Sequence, residues 1–171
     1  MKKIFLAAAF VVAGFLGANA QFTFGAGLRV GLPVGDFGDT HSFGIGAEVQ
    51  GEYNFSEKFS GIITTGYTNF FGKTVDVPPF GEIEFESAGL IPIIAGVRVY
   101  PTTTFFIGAQ AGYGILTGNG DSEGAFCYQP QIGYNGSKFQ VALNYNALSK
   151  DGSTLGHIGL TGIFKFGGGG E

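Results

Sequence analysis

Few side chains in this 171-residue chain could support nucleophilic or acid–base chemistry: His41 and His157, the single cysteine Cys127, and Ser42 close behind Asp39. A serine hydrolase needs serine, histidine and an acid converging on one point. Neighbouring residues of a strand point to opposite faces, so His41 is poorly placed to activate Ser42. His157 falls on an inward face near a loop, and both histidines read as loop or rim residues. Cys127 has no partner for a disulfide and reads as a buried or lumen-facing thiol. Gly118–Gly124 has the glycines of a calcium loop but not its Asp/Asn spacing or closing Glu. Gly25-Ala26-Gly27 lies inside a strand rather than at a strand-to-helix turn, so it cannot cradle phosphate. Catalytic, cofactor-binding and metal-binding residues are therefore expected to be absent.

The remaining charged and amide side chains are informative in a different way. Arg29, Glu48, Glu52, Arg98, Gln129, Gln131 and Lys165 fall, with Gln50, Gln110, Gln140, Asn144 and Asn146, on one face of a series of alternating segments. Three cations and two carboxylates among amides can form a connected network, which is tolerable only if its members satisfy one another. Arg29 lies on the strand next to Glu48 and Glu52, so an ion pair is expected there.

The element that makes this face visible is Ser42–Asn54. Taken two at a time it separates into Phe43, Ile45, Ala47, Val49, Gly51 and Tyr53 against Ser42, Gly44, Gly46, Glu48, Gln50, Glu52 and Asn54. It exceeds the usual soluble strand of about 5–6 residues. It also meets the roughly 9–11 residues that a tilted strand needs to cross a bilayer. The polar face carries glycines and amides, as a barrel lumen would, and the apolar face reads as lipid-facing.

Seven further segments repeat the split: about 22–31, 59–71, 85–100, 105–117, 125–134, 139–147 and 154–166. In 59–71 the adjacent Ile62 and Ile63 obscure the phase, and Pro92 in 85–100 removes a ladder donor. The short turns Phe55–Lys58, Pro101–Thr104 and Asn135–Lys138 follow the second, fourth and sixth segments, the last with the Asn-Gly hairpin signal. Loops are expected at Leu32–Thr40, Lys73–Glu84, Gly118–Gly124 and Ser149–Ser153. The fold class expected is all-β: an eight-stranded antiparallel up-and-down transmembrane β-barrel, its strands spanning about 22–166.

Composition points the same way. Met1-Lys2-Lys3, an apolar run and Ala18-Asn19-Ala20 form a secretory signal peptide over residues 1–20, with cleavage near Ala20-Gln21. Residues 21–171 then form the barrel domain, ending in a flexible glycine-rich tail at 167–171. No later stretch offers 18 uninterrupted apolar residues for a helical span. Charged residues make up only 13%, against about 25% in ordinary soluble domains. Without Lys2 and Lys3 there are seven basic side chains to thirteen acidic ones, which disfavours nucleic acid as a partner. The alternation of short turns and longer loops puts both termini on the periplasmic side. Two aromatic belts are expected: Tyr53, Phe55, Phe59, Tyr100, Phe105, Tyr134, Phe139, Phe164 and Phe166 near the turns, and Phe43, Tyr67, Phe85, Tyr113, Phe126 and Tyr145 near the outer rim.

These segments, with Leu90-Ile91-Pro92-Ile93-Ile94-Ala95-Gly96-Val97-Arg98 and the finish Phe164-Lys165-Phe166, resemble the small outer-membrane barrels of the OmpA/OmpX type. The single-domain barrels of Bacteroidota are the most similar group. The resemblance implies outer-membrane localisation in a Gram-negative envelope and insertion by the barrel-assembly machinery. The chain departs from the family pattern in the Gly167–Glu171 extension and in the placing of Gly162.

Eight strands enclose a space just wide enough for side chains to fill. The function expected is that of a non-catalytic, monomeric integral outer-membrane barrel with a plugged polar lumen, in contact with outer-membrane lipid and lipopolysaccharide. It would contribute to envelope integrity or surface interaction through its outer loops. A narrow channel for ions or small solutes is one alternative, and a lipid-modifying outer-membrane enzyme another.

Overall fold

A computed structural model describes residues 21–78, 81–118, 121–150 and 152–166. The segments expected as signal peptide and glycine-rich tail lie outside the described residues. Eight long strands dominate: β1 (Phe22–Val34), β2 (His41–Asn54), β3 (Phe59–Gly72), β6 (Ala88–Thr102), β7 (Phe105–Gly118), β8 (Asp121–Asn135), β9 (Phe139–Lys150) and β10 (Ser153–Phe166). Each pairs antiparallel with its neighbour in sequence, and β1 pairs with β10 from Phe24↔Phe166 to Val34↔Gly156, closing the barrel. Closure leaves no free strand edge and satisfies the backbone between strands.

Alternation sets the two faces as the sequence reading expects. Leu28, Val30, Ile45, Val49, Ile93, Val97, Leu143 and Leu160 are exposed on the outside, while Arg29, Glu48, Gln50, Arg98, Gln129 and Thr161 are buried within. In β3 the phase falls with Ile62 buried and Ile63 exposed. Register explains it: Ile62 sits between Glu52 and Gly96 on the inward face, and Ile63 between Gly51 and Ala95 on the outward one. Several inward glycines are needed for close strand approach. A Cβ on Gly96 would fall on the carbonyl oxygen of Ala109, and one on Gly27 on that of Gly162.

One end carries the short connections 55–58, 103–104 and 136–138, and is called here the turn end. The opposite, loop end differs from the sequence expectation in four places. The expected loop Leu32–Thr40 is instead the last three residues of β1 followed by a short helix, α1 (Asp36–Thr40), entered through Gly35 at φ +61. The connection Lys73–Glu84 contains a two-stranded hairpin, β4 (Thr74–Val77) with β5 (Gly81–Glu84). Of the expected loop Gly118–Gly124, Gly118 and residues 121–124 are strand, with Gly118 paired to Asp121. Likewise β9 runs on to Lys150, which pairs with Ser153. Among the described residues, α1 and the hairpin make this end bulkier than the other.

Candidate functional site

The inside of the barrel is the candidate site, and register stacks its polar side chains in two layers. The layer nearer the turn end centres on Arg98 of β6, 1% exposed. Its Nη1 donates to Glu52 Oε2 at 2.7 Å and to Gln140 Oε1 at 2.9 Å. Its Nη2 donates to Gln50 Oε1 at 3.2 Å and Gln131 Oε1 at 3.1 Å. The planar guanidinium thus ties β6 to β2, β8 and β9 across the lumen, a task suited to its fixed fork of donors. Gln50 Nε2 closes the ring by donating to Gln140 Oε1 at 2.7 Å. Glu52 also accepts from Ser60 Oγ at 2.5 Å and from the Tyr100 hydroxyl. Beneath, the Phe106 ring lies 4.3 Å from the Arg98 guanidinium carbon, within cation–π range. Lys165 is peripheral to this layer: its Nζ donates to Asn135 Oδ1 at 2.7 Å.

The second layer, at mid-barrel, centres on Arg29 of β1. Its Nη2 lies 2.5 Å from Glu48 Oε2 and donates to Gln129 Oε1 at 2.9 Å, while Nε donates to Thr161 Oγ1 at 3.2 Å. Asn146 Nδ2 also donates to Gln129, and the Asn146 amide lies against the Cys127 thiol. The structure thus brings Arg29, Glu48 and Gln129 together in one layer and Arg98, Glu52 and Gln131 in the other. Arg98 Nε, Gln131 Nε2, Gln110 Oε1 and Asn144 Oδ1 are buried without a protein hydrogen-bond partner.

Above the second layer the interior turns apolar. Phe37 of α1 packs against Phe70, their ring centroids 5.0 Å apart, in a cluster with Ala88, Leu90 and Leu148. Lys73 holds α1 in place, its Nζ donating to the Gly38 carbonyl oxygen at 2.6 Å. The sequence reading left this cluster out. Its only local trace is a set of apolar residues at inward positions, Phe70, Leu90, Leu116, Leu148 and Leu155, each beside another apolar or small residue.

Two readings are corrected here, and that of His41 with Ser42 is borne out. His157 is not a rim histidine: it is 1% exposed and meets Phe70 edge-to-face at 4.8 Å between centroids. The aliphatic and aromatic roof around it, not the loop, takes it out of water. Tyr100 does not join the turn-end belt, because its even position in β6 turns it inward onto Glu52. Ser42 Oγ donates to the Phe71 carbonyl at 3.1 Å, and His41 Nδ1 is paired with Thr40 Oγ1 at 2.8 Å, so the two side chains engage different partners. Among the described residues no group of His, Cys, Asp and Glu is arranged to hold a metal ion.

No protein-family model matches the chain, and no curated protein is similar to it. Solved structures share its architecture. The attachment invasion locus protein Ail of Yersinia pestis aligns over 87% of this chain and all of its own, with 14% identity and a TM-score of 0.57. The N-terminal β-barrel domain of Pseudomonas aeruginosa OprF covers 84% of this chain and 97% of its own at 11% identity and TM-score 0.53. Neisserial surface protein A covers 85% and 97% at 13% identity and TM-score 0.50. The fold is that of the small eight-stranded outer-membrane β-barrels.

Proposed function

We propose that this chain is a non-catalytic integral outer-membrane barrel whose lumen is closed, contributing to envelope integrity or surface contact through its loop end. The outward leucines, isoleucines and valines form a continuous apolar exterior that only a hydrocarbon environment suits, since soluble monomers rarely expose patches beyond a few hundred Å². Outer-membrane lipid and lipopolysaccharide are then the immediate partners, and the barrel-assembly machinery inserts the chain after its signal is removed. With each of the eight barrel strands paired on both edges, a monomer is sufficient.

The observation that carries the closed lumen is the stacking of three barriers: the Arg98 layer, the Arg29 layer, and Phe37 against Phe70. Surface contact is supported by the loop end itself, where the β5 strand of the β4–β5 hairpin is fully exposed, and by the fold shared with a protein named for attachment and invasion.

A second reading, a narrow conduit for ions or small solutes, rests on the buried polar atoms without protein partners and on a cavity of about 1010 Å³ at the turn end. Tyr100, Asn54, Asn135 and Gln21 line that cavity. Planar-bilayer recording of the purified barrel separates the two. The closed reading expects a silent bilayer. Discrete conductance steps that change on substitution of Arg29 or Arg98 would establish the conduit instead.

A further inference from the structure

Among the described residues, the two sides of the interior at the loop end are filled differently. On one side α1 brings Phe37 onto Phe70 and Leu90. On the side of β7–β10 the described residues leave a cavity of about 370 Å³. Its floor is Leu116, Ala125, Leu148 and Leu155, one residue from each of the four strands, with Leu148 buried and the others half-buried. Alternation puts all four on the inward face, and Leu148 pairs directly with Leu155 across the ladder. Glu123, Lys150 and Ser153 complete the lining, so the cup has an apolar floor and a polar rim; a concave space of a few hundred Å³ that joins the two is a usual form of small-molecule site, and barrel mouths are a usual place for one.

The mouth carries one carboxylate and one ammonium, within a loop end that is acidic as a whole. Glu123 and Lys150 stand there, Oε2 and Nζ 3.2 Å apart and both well exposed. A pair so exposed to solvent is weak and exchanges readily. Among the described residues the loop end holds the carboxylates of Asp36, Asp39, Asp76, Glu82, Glu84, Glu86 and Glu123, against the ammonium groups of Lys73 and Lys150. A surface of that sign concentrates cations and repels anions.

We propose that this cup is a binding site for an amphiphilic organic cation, an alkyl or arylalkyl amine. The hydrocarbon lies on Leu116, Ala125, Leu148 and Leu155, and the ammonium takes the place of Lys150 on Glu123. A fatty carboxylate would meet one lysine among carboxylates, and a neutral alkane would gain nothing at the mouth. The site is independent of whether the lumen below conducts.

Photo-crosslinking tests it on the full mature barrel in phosphatidylcholine nanodiscs, with two labels of matched length: a diazirine-bearing decylammonium and a diazirine-bearing decanoate. Tandem mass spectrometry locates the adducts. Residues of the outer belt, such as Leu28 and Leu143, react with both and supply the internal reference. Relative to that reference, the ammonium is expected to label the peptides holding Leu116, Ala125 and Leu155 about tenfold more than the decanoate does. Glu123→Gln removes most of the preference, and Lys150→Gln, which frees Glu123, increases it. Ala125→Phe fills the floor and abolishes cup adducts while belt labelling stays. Heat-modifiable mobility reports folding of each variant, and Glu123→Gln alone decides if Ala125→Phe does not fold. Adducts confined to the belt, or equal cup labelling by both compounds, overturn the proposal.

Discussion

If the outward residues touch acyl chains, Leu28→Arg is costly; if they touch water, it is nearly free. Leu28 lies mid-strand in β1 and is 68% exposed, with Ala47 and Gly162 as its cross-strand neighbours. These small neighbours offer an arginine neither a carboxylate nor cover. At the bilayer midplane a lipid-facing Arg costs about 2–4 kcal/mol, which is roughly a 30- to 700-fold loss in the folding constant. On a wet surface the same change stays within about 0.5 kcal/mol of neutral. Leu32 sits nearer the loop end, 61% exposed, and Leu32→Arg should cost only about 0–1 kcal/mol because the penalty fades toward the interface. The chain has no tryptophan, so urea titrations in phosphatidylcholine vesicles are best followed by the mobility difference between folded and unfolded forms on unheated gels. Equal midpoints for parent and Leu28→Arg, or equal penalties at the two positions, would refute the membrane-facing assignment. So would a monodisperse mature chain in detergent-free buffer.

Two further predictions concern the interior. Arg98→Met leaves Glu52 buried with only Ser60 and Tyr100 as donors, and should cost about 3–5 kcal/mol. Adding Glu52→Gln should recover a large part of that loss, and simple additivity in the double-mutant cycle would contradict the coupling. Glycines divide by backbone proximity. Gly96→Ala drives a methyl into the Ala109 carbonyl and should cost about 1–3 kcal/mol. A Cβ on Gly162 meets nothing within 4 Å, so Gly162→Ala should be neutral, or stabilising by up to about 1 kcal/mol. Thermal unfolding of the two variants side by side checks the contrast.

What could be read from the residues and what could not divides along the barrel axis. Period-two alternation is legible where the two faces meet unlike surroundings, so the phases of β1, β2, β7, β8 and β10 follow directly. Above the apolar belt both faces of a strand meet water, the contrast vanishes, and the strand stays hidden in composition. That is why Asp121-Ser122-Glu123-Gly124, polar at every position, pairs as strand with the end of β7 while carrying no strand signal. Tyr100 illustrates a conflict between two local rules. Residue type suggests an interfacial ring, but the parity of Val97 and Val99 turns it inward, and the continuous ladder lets parity win. The Ile62-Ile63 pair has no local answer; only registration against Glu52 and Gly51 on β2 selects which side chain goes inside.

The loop-end cluster escapes for a related reason, and it bears on function. An inward leucine beside an outward one, as at Leu90-Ile91, reads as a break in alternation rather than as a second apolar environment. Among the described residues apolar side chains gather on the outer belt, at the mouth of the barrel interior, and in a small inward cluster of Tyr100, Phe106 and Ala142 near the turn end. Phe37 is invisible as a member of the mouth cluster because its position depends on Gly35 turning the chain back over the opening and on Lys73 holding the helix there. Burying leucines inside a barrel whose middle is built from arginine and amides gains nothing from lipid. Their burial is complete only where something covers them: α1 on one side of the mouth, and on the other a molecule that brings its own hydrocarbon.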